Sequence, residues 1–114
     1  MQTFGKKGED IAFNFLEENQ YQIIQRNYRF KKSEIDIICQ KAGLLIFVEV
    51  KTRSSKAFGY PEQFVSISQQ KAIIRAAEHY VEETKWAGDI RFDIIAIVMK
   101  AEMVEIEHLK DAFY

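Results

Sequence analysis

Three side chains in this chain of 114 residues stand where chemistry is possible: Asp36, Glu49 and Lys51. They interrupt two apolar runs, 34–40 (EIDIICQ) and 44–52 (LLIFVEVKT), which Lys41-Ala42-Gly43 separates. The two runs read as a β-hairpin with glycine in its turn. A two-residue turn at Ala42-Gly43 sets Lys41 opposite Leu44 and Gln40 opposite Leu45. Continued down the ladder, the same register sets Asp36 opposite Glu49. A four-residue loop keeps that register, and a three-residue loop destroys it. Directly opposed residues share a face, with Cβ atoms about 4.5–5.5 Å apart. Lys51, two residues after Glu49, points the same way. Two carboxylates this close, in strands built for burial, need a proton, a cationic side chain or a metal ion between them. Hard oxygen donors of this kind suit Mg²⁺ or Mn²⁺. Such an ion can bind a phosphodiester oxygen, stabilise pentacoordinate charge and lower the pKa of a bound water. A neighbouring lysine can orient that water or stabilise the developing charge. A plainer reading stays open beside this one. The same register sets Lys51 opposite Glu34, a cross-strand ion pair that needs no catalysis, and Asp36 can serve as a solvated residue at a strand end.

The elements that must position these residues follow from periodicity. Phe4, Ile11, Ala12, Phe15 and Leu16 recur at helical spacing, which predicts a first helix over 4–18 with Thr3 as N-cap and Asn19 as stop. Residues 22–29 (QIIQRNYR) read as a strand. The second hairpin strand is apolar on both faces until Glu49, so it belongs at the centre of a sheet covered on both sides. Residues 53–65 contain Gly59-Tyr60-Pro61 and read as a loop. A long helix over 67–85 follows, with Ser66 and Gln69 at capping-box spacing. Its apolar stripe is Ile73, Ile74, Ala77, Tyr80 and Val81, and Gly88 lies just beyond its end. Strands over 90–99 and 104–108 complete the order α-β-β-β-α-β-β. The expected architecture is therefore one α/β domain over 1–114, a mixed central sheet flanked by helices.

Composition narrows the function classes. Hydrophobic residues make up 47% of the chain and aromatic residues 13%, enough for a real core. Cys39 is the one cysteine, so no intramolecular disulfide forms, and its apolar setting predicts a buried, inert thiol. Cys39, His79 and His108 show no zinc-ligand spacing, and both histidines are read as structural. No apolar signal core and no stretch of about 18 apolar residues is present, which predicts a cytoplasmic protein without membrane contact. Net charge is −1, but its distribution is uneven. Residues 1–75 carry 12 Lys and Arg against 8 Asp and Glu, while residues 76–114 carry 4 against 9. With a cation on the proposed acids, the first part becomes a basic surface. An ordinary mixed-charge surface accounts for the same counts. Lys6, Lys7, Arg53, Lys56, Lys71 and Arg75 are the candidate phosphate contacts, with Arg26, Arg29, Lys31 and Lys32 able to extend the surface. Tyr60 could stack on a base or pack on the core. Arg91 and Asp93 read as a structural ion pair.

The wider motif pattern carries a resemblance. Asp36, twelve residues, then Glu49-Val50-Lys51 resembles the core signature of the PD-(D/E)XK nuclease superfamily. The blocks Gly5-Lys6-Lys7-Gly8-Glu9, Asn27-Tyr28-Arg29, Glu34-Ile35-Asp36, Phe47-Val48-Glu49-Val50-Lys51-Thr52-Arg53, Phe58-Gly59-Tyr60-Pro61 and Arg91-Phe92-Asp93 occur in order. Together they resemble the bacterial YraN-like family, related to archaeal Holliday-junction resolvases, over nearly the whole chain. Two departures stand out: Ile35-Asp36 replaces the superfamily's proline-aspartate pair, and Ser33 stands where a glycine is expected before Glu34.

The resemblance implies a restriction-endonuclease-like αβββαβ core. It matches Asp36 and Glu49 to metal-binding acids, Lys51 to the catalytic lysine and Glu9 to an additional acid beside the metal. Glu9 by itself reads as a solvated glutamate favoured in a first helical turn. The resulting expectation is a Mg²⁺- or Mn²⁺-dependent endodeoxyribonuclease. Asp36 and Glu49 would hold the metal with Glu9 and the Val50 carbonyl, and Lys51 would align the attacking water. DNA is favoured over RNA, in branched or single-stranded form, and resolvase-like assembly would make a homodimer. The rivals are a non-catalytic nucleic-acid-binding module on the same fold and an interaction protein that binds no divalent ion.

Overall fold

The computed structural model describes residues 2–55 and 65–114. The described elements are α1 (Phe4–Glu18), β1 (Gln22–Phe30), β2 (Ser33–Lys41), β3 (Leu44–Arg53), α2 (Ile67–Thr84), β4 (Ile90–Lys100) and β5 (Met103–Leu109). They form one five-stranded sheet of order β1-β2-β3-β4-β5. β3 pairs parallel with β4, and the other neighbours are antiparallel. This is a mixed sheet with two helices, an α/β fold.

β3 lies at the centre, as its two-sided apolarity requires, and separates two cores. Ile35, Ile38, Leu45, Phe47, Phe92 and Ile94 pack with Ile73, Ala76, Ala77 and Tyr80 of α2. Ile37, Cys39, Ile46, Val48, Ile95 and Ile97 pack with Ala12 and Leu16 of α1. Cys39 is fully buried, and burial pushes its thiol up to about 12, so it is inert at neutral pH.

Local signals account for the element ends. Thr3 caps α1 by accepting the Lys6 N–H, and Asn19 closes it. Phe4, expected on the buried stripe, is 45% exposed because the helix turns inward only from Gly8. The hairpin turn uses Ala42 (φ 52) and Gly43 (φ 78), both left-handed, as a two-residue primed turn demands. α2 ends earlier than expected: Lys85 takes the left-handed cap position at φ 56, and Gly88 is not the cap. Gly88 instead lets the chain pass the β2–β3 turn, where an added Cβ would stand 3.2 Å from the Gly43 carbonyl oxygen.

Alternation in β1 and β2 inverts at one level of the sheet. Residues two apart in a strand share a face. Yet Arg26 bonds Asp10 and covers Phe13 of α1, whereas Tyr28 bonds His79 and meets Tyr80 of α2. Likewise Ile37 belongs to the α1-side core and Ile35 to the α2-side core. Between these paired residues lie Asn27, left-handed at φ 53, and Asp36.

Candidate active site

The register of β2 and β3 follows the two-residue turn from Lys41–Leu44 down to Ile37–Val48 and stops there. One step further, side chains replace the backbone ladder. The Val50 N–H donates to Asp36 Oδ2 at 2.7 Å, and the Asp36 and Glu49 carboxyls hydrogen-bond each other. The expected meeting of these two acids is thus made through their side chains.

Lys51 does not reach Glu34, so the cross-strand ion pair of the plainer reading is absent. The strands part below Ile37–Val48, and Glu34 turns to Arg29 at 3.2 Å on the other side. Lys51 Nζ instead lies 3.4 Å from Glu49 Oε2. Gln69 of α2 completes the group: its Nε2 donates to Glu49 Oε2 at 2.7 Å, and its Oε1 accepts from Lys51 Nζ at 3.3 Å. The capping box is therefore half made. Ser66 Oγ accepts the Gln69 N–H at 3.1 Å, but the Gln69 side chain is committed to the sheet. Capping spacing alone hid this role.

Burial governs the electrostatics. Glu49 is 8% exposed. Burial, then the Glu49 charge beside it, pushes Asp36 up to about 8, against the opposing Val50 N–H. Burial also raises Glu49, offset in part by Lys51 and by the bond to Asp36. The pair holds a proton that ordinary carboxyls would have released at neutral pH.

Glu9 stands nearby on α1, close enough for its charge to raise Asp36. Its Oε1 accepts from Asn27 Nδ2 at 3.1 Å and lies 3.7 Å from Lys6 Nζ, which also donates to Asn27 Oδ1 at 3.1 Å. Among the described residues no group of three or more His, Cys, Asp or Glu forms a ready metal cage. The part Asn27 plays here has one signal in the sequence, an asparagine inside a strand-forming run, since Asn tolerates φ > 0. Gly8 brings α1 this close: it is buried, and a Cβ there would collide with Thr52 Oγ1.

The other candidates are scattered. Lys7, Lys71 and Arg75 are exposed, with no ion pair among the described residues. Arg53 donates to the Thr52 carbonyl at 2.9 Å. Lys56 and Tyr60 lie outside the described residues. Arg91 and Asp93 do pair, doubly, at 2.8 Å, away from the acids. His108 at 2.7 Å and the Asp111 N–H at 3.0 Å complete that cluster. Burial pushes Asp93 up, but these donors outweigh it and leave the carboxyl below its usual value. His79 bonds Tyr28 and stacks on Phe30. No described helix is long and apolar enough to cross a membrane.

The model of a family described as "Uncharacterised protein family UPF0102" matches residues 8–97. A UPF0102 protein of Christiangramia forsetii is 46% identical over 110 residues, covering 96% of this chain and 92% of the relative. Another, from Chloroherpeton thalassium, is 46% identical over 98 residues, covering 85% of this chain and 76% of the relative. A third, from Caldicellulosiruptor saccharolyticus, is 39% identical over 112 residues, covering 96% of this chain and 95% of the relative.

Proposed function

The chain belongs to the uncharacterised protein family UPF0102, the YraN family, and from that premise we propose that it is a metal-dependent endonuclease acting on DNA phosphodiesters. Branched or single-stranded DNA is the favoured substrate class. The observation that carries this reading is the meeting of the half-buried Asp36 with the buried Glu49, with the Lys51 ammonium 3.4 Å from Glu49. The order α1-β1-β2-β3-α2-β4 supports it, because a PD-(D/E)XK core has that succession, with β5 appended here.

The donor set fits Mg²⁺ or Mn²⁺. Both side chains offer hard oxygen, and the nearby Cys39 thiol is buried in the α1-side core rather than facing the acids. A bound divalent ion supplies charge neutralisation and Lewis acidity at the phosphodiester. The residues do the rest. Asp36 is fixed through Oδ2 by the Val50 N–H, and Glu49 through Oε2 by Gln69, so each carboxyl keeps a set orientation. Releasing the shared proton makes both available as anionic ligands. Lys51 holds its ammonium at the same spot, where it can orient water or meet developing negative charge. Lys7, Lys71 and Arg75 serve the phosphate backbone without reading sequence.

The test is cleavage of labelled duplex, single-stranded, flap and four-way-junction DNA with Mn²⁺ at low salt. Wild-type cleavage that disappears in Lys51→Ala is the expected result. Equal binding with no cleavage by either protein would make this a non-catalytic nucleic-acid-binding module. No binding at all would remove DNA as the substrate.

A further inference from the structure

Gln69 breaks a local rule. A glutamine at the third helical position, after a serine cap, normally turns back to the cap's own N–H. Here its amide spans Glu49 and Lys51 instead. Local rules give way most often where function claims the side chain. An amide can donate to a carboxylate and accept from an ammonium at once; a carboxylate or ammonium in its place can do only one of these.

The distances show what the bridge does. An ammonium free to close on a carboxylate settles at about 2.7–2.9 Å. Lys51 Nζ stops at 3.4 Å from Glu49 Oε2, the same oxygen that Gln69 Nε2 occupies at 2.7 Å. Meanwhile Gln69 Oε1 draws the ammonium towards α2 at 3.3 Å.

We propose that Gln69 is a positioning residue whose amide holds the Lys51–Glu49 ion pair at 3.4 Å, short of full closure. A pair held this loosely yields Glu49 more readily to a divalent cation, and the ammonium more readily to substrate, than a closed one would. The inference rests on the metal-dependent reading above and adds a residue on a separate element to its site. Without the amide, Lys51 competes with the cation for Glu49, so the effect of removing Gln69 must pass through Lys51.

The experiment is a double-mutant cycle read by isothermal titration of Mn²⁺ into the full chain. Gln69→Met keeps the volume and removes the amide. Ser66→Ala is the control for the helix cap. Gln69→Met should weaken Mn²⁺ binding roughly tenfold and lower kcat on single-stranded DNA by about 10–100-fold. KM for DNA should hold, and the melting temperature should stay above that of Ser66→Ala. In the Lys51→Ala background the same Gln69→Met change should leave Mn²⁺ affinity unaltered. Equal weakening in both backgrounds overturns the proposal, and so does unaltered affinity with a melting temperature as low as that of Ser66→Ala. Wild type that binds Mn²⁺ with this coupling but cuts no DNA supports Gln69's role and removes the nuclease reading alone. Wild type that binds no Mn²⁺ overturns both.

Discussion

The carboxyl pair sets how the metal-free protein responds to pH. Asp36 ionises near pH 8 when folded, because burial and the Glu49 charge oppose it; in an unfolded chain an aspartate ionises near about 3.9. The folded state therefore keeps a proton that the unfolded state gives up. For a carboxyl with a raised folded pKa, the stabilising contribution is complete below the unfolded value and declines as pH rises through the folded one. The melting temperature of metal-free protein should accordingly fall between about pH 4 and about pH 8. Asp93 does not cancel this, because its lowered value shifts its own loss of stability to more acid pH. Asp36→Asn cannot ionise, so its curve should fall less steeply through the window, with the raised Glu49 carboxyl accounting for the slope that remains, and stand above wild type at pH 8. Calorimetry in chelator across that range decides it; a wild-type midpoint that rises with pH sinks the assignment. The approach of Asp36 to Glu49 was legible because the turn fixes the hairpin register locally, although the ladder itself stops at Ile37–Val48 and Lys51 does not meet Glu34 as that register required. Gln69 and Asn27 were not. Gln69 depends on how α2 docks 20 residues along the chain from Glu49, and Asn27 on one left-handed φ that no pattern of apolar residues announces.

Among the elements, the approach of α1 to β3 is the contact that brings Glu9 within electrostatic reach of Asp36. Only a hydrogen at Gly8 fits there, since a Cβ would overlap Thr52 Oγ1 and lie 3.0 Å from Thr52 Cβ and Cγ2. Gly8→Ala should therefore push the helix off the strand and cost about 1–3 kcal/mol, as overpacking does. Thr52→Ala in the same chain removes Oγ1 and Cγ2, leaving only the Cβ contact at 3.0 Å, and should restore part of that stability. Urea midpoints of the two single variants and the double variant measure the coupling; strict additivity would mean that Gly8 serves something other than this contact. The helices, the hairpin and the central place of β3 could be read in advance because each rests on a repeating pattern within its own segment. The inversion of β1 and β2 at Asn27 and Asp36 could not. Strict alternation assigns Arg26 and Tyr28 to one face, and the structure sends them to different helices. Asp36 leaves the regular ladder at that level, which is why it can meet Glu49 through its side chain rather than lie inert in a paired strand.

Across the whole molecule, charge is polarised between the two sheet edges. β1 and β5 are the outer strands. On the β1 side Arg26 and Arg29 are paired with Asp10 and Glu34, so Lys31 and Lys32 carry most of its exposed positive charge, whereas the β5 side carries Glu102, Glu105 and Glu107 between Lys100 and Lys110. With net charge near zero, a polyanion is not drawn to the protein at large but can be oriented by this gradient. The carboxyl pair sits between the edges, on β2 and β3, so a strand entering from the β1 side reaches Asp36 and Glu49 without passing the acidic edge. Lys31 and Lys32 are both exposed at the β1–β2 turn. Their joint replacement by alanine should weaken binding of single-stranded DNA. It should also make the plot of log affinity against log salt shallower by about 0.7 for each phosphate no longer neutralised. Glu102→Ala with Glu107→Ala, at the far edge, should leave that slope unchanged. Anisotropy of labelled DNA over a salt series separates these outcomes. If both pairs shift affinity equally and oppositely with no change of slope, the response reports net charge alone, and the β1 edge is not where the strand lies. A slope that changes only with Lys31 and Lys32 fixes the direction of approach and, on the proposed nuclease reading, the side of the carboxyl pair that a scissile phosphate would meet.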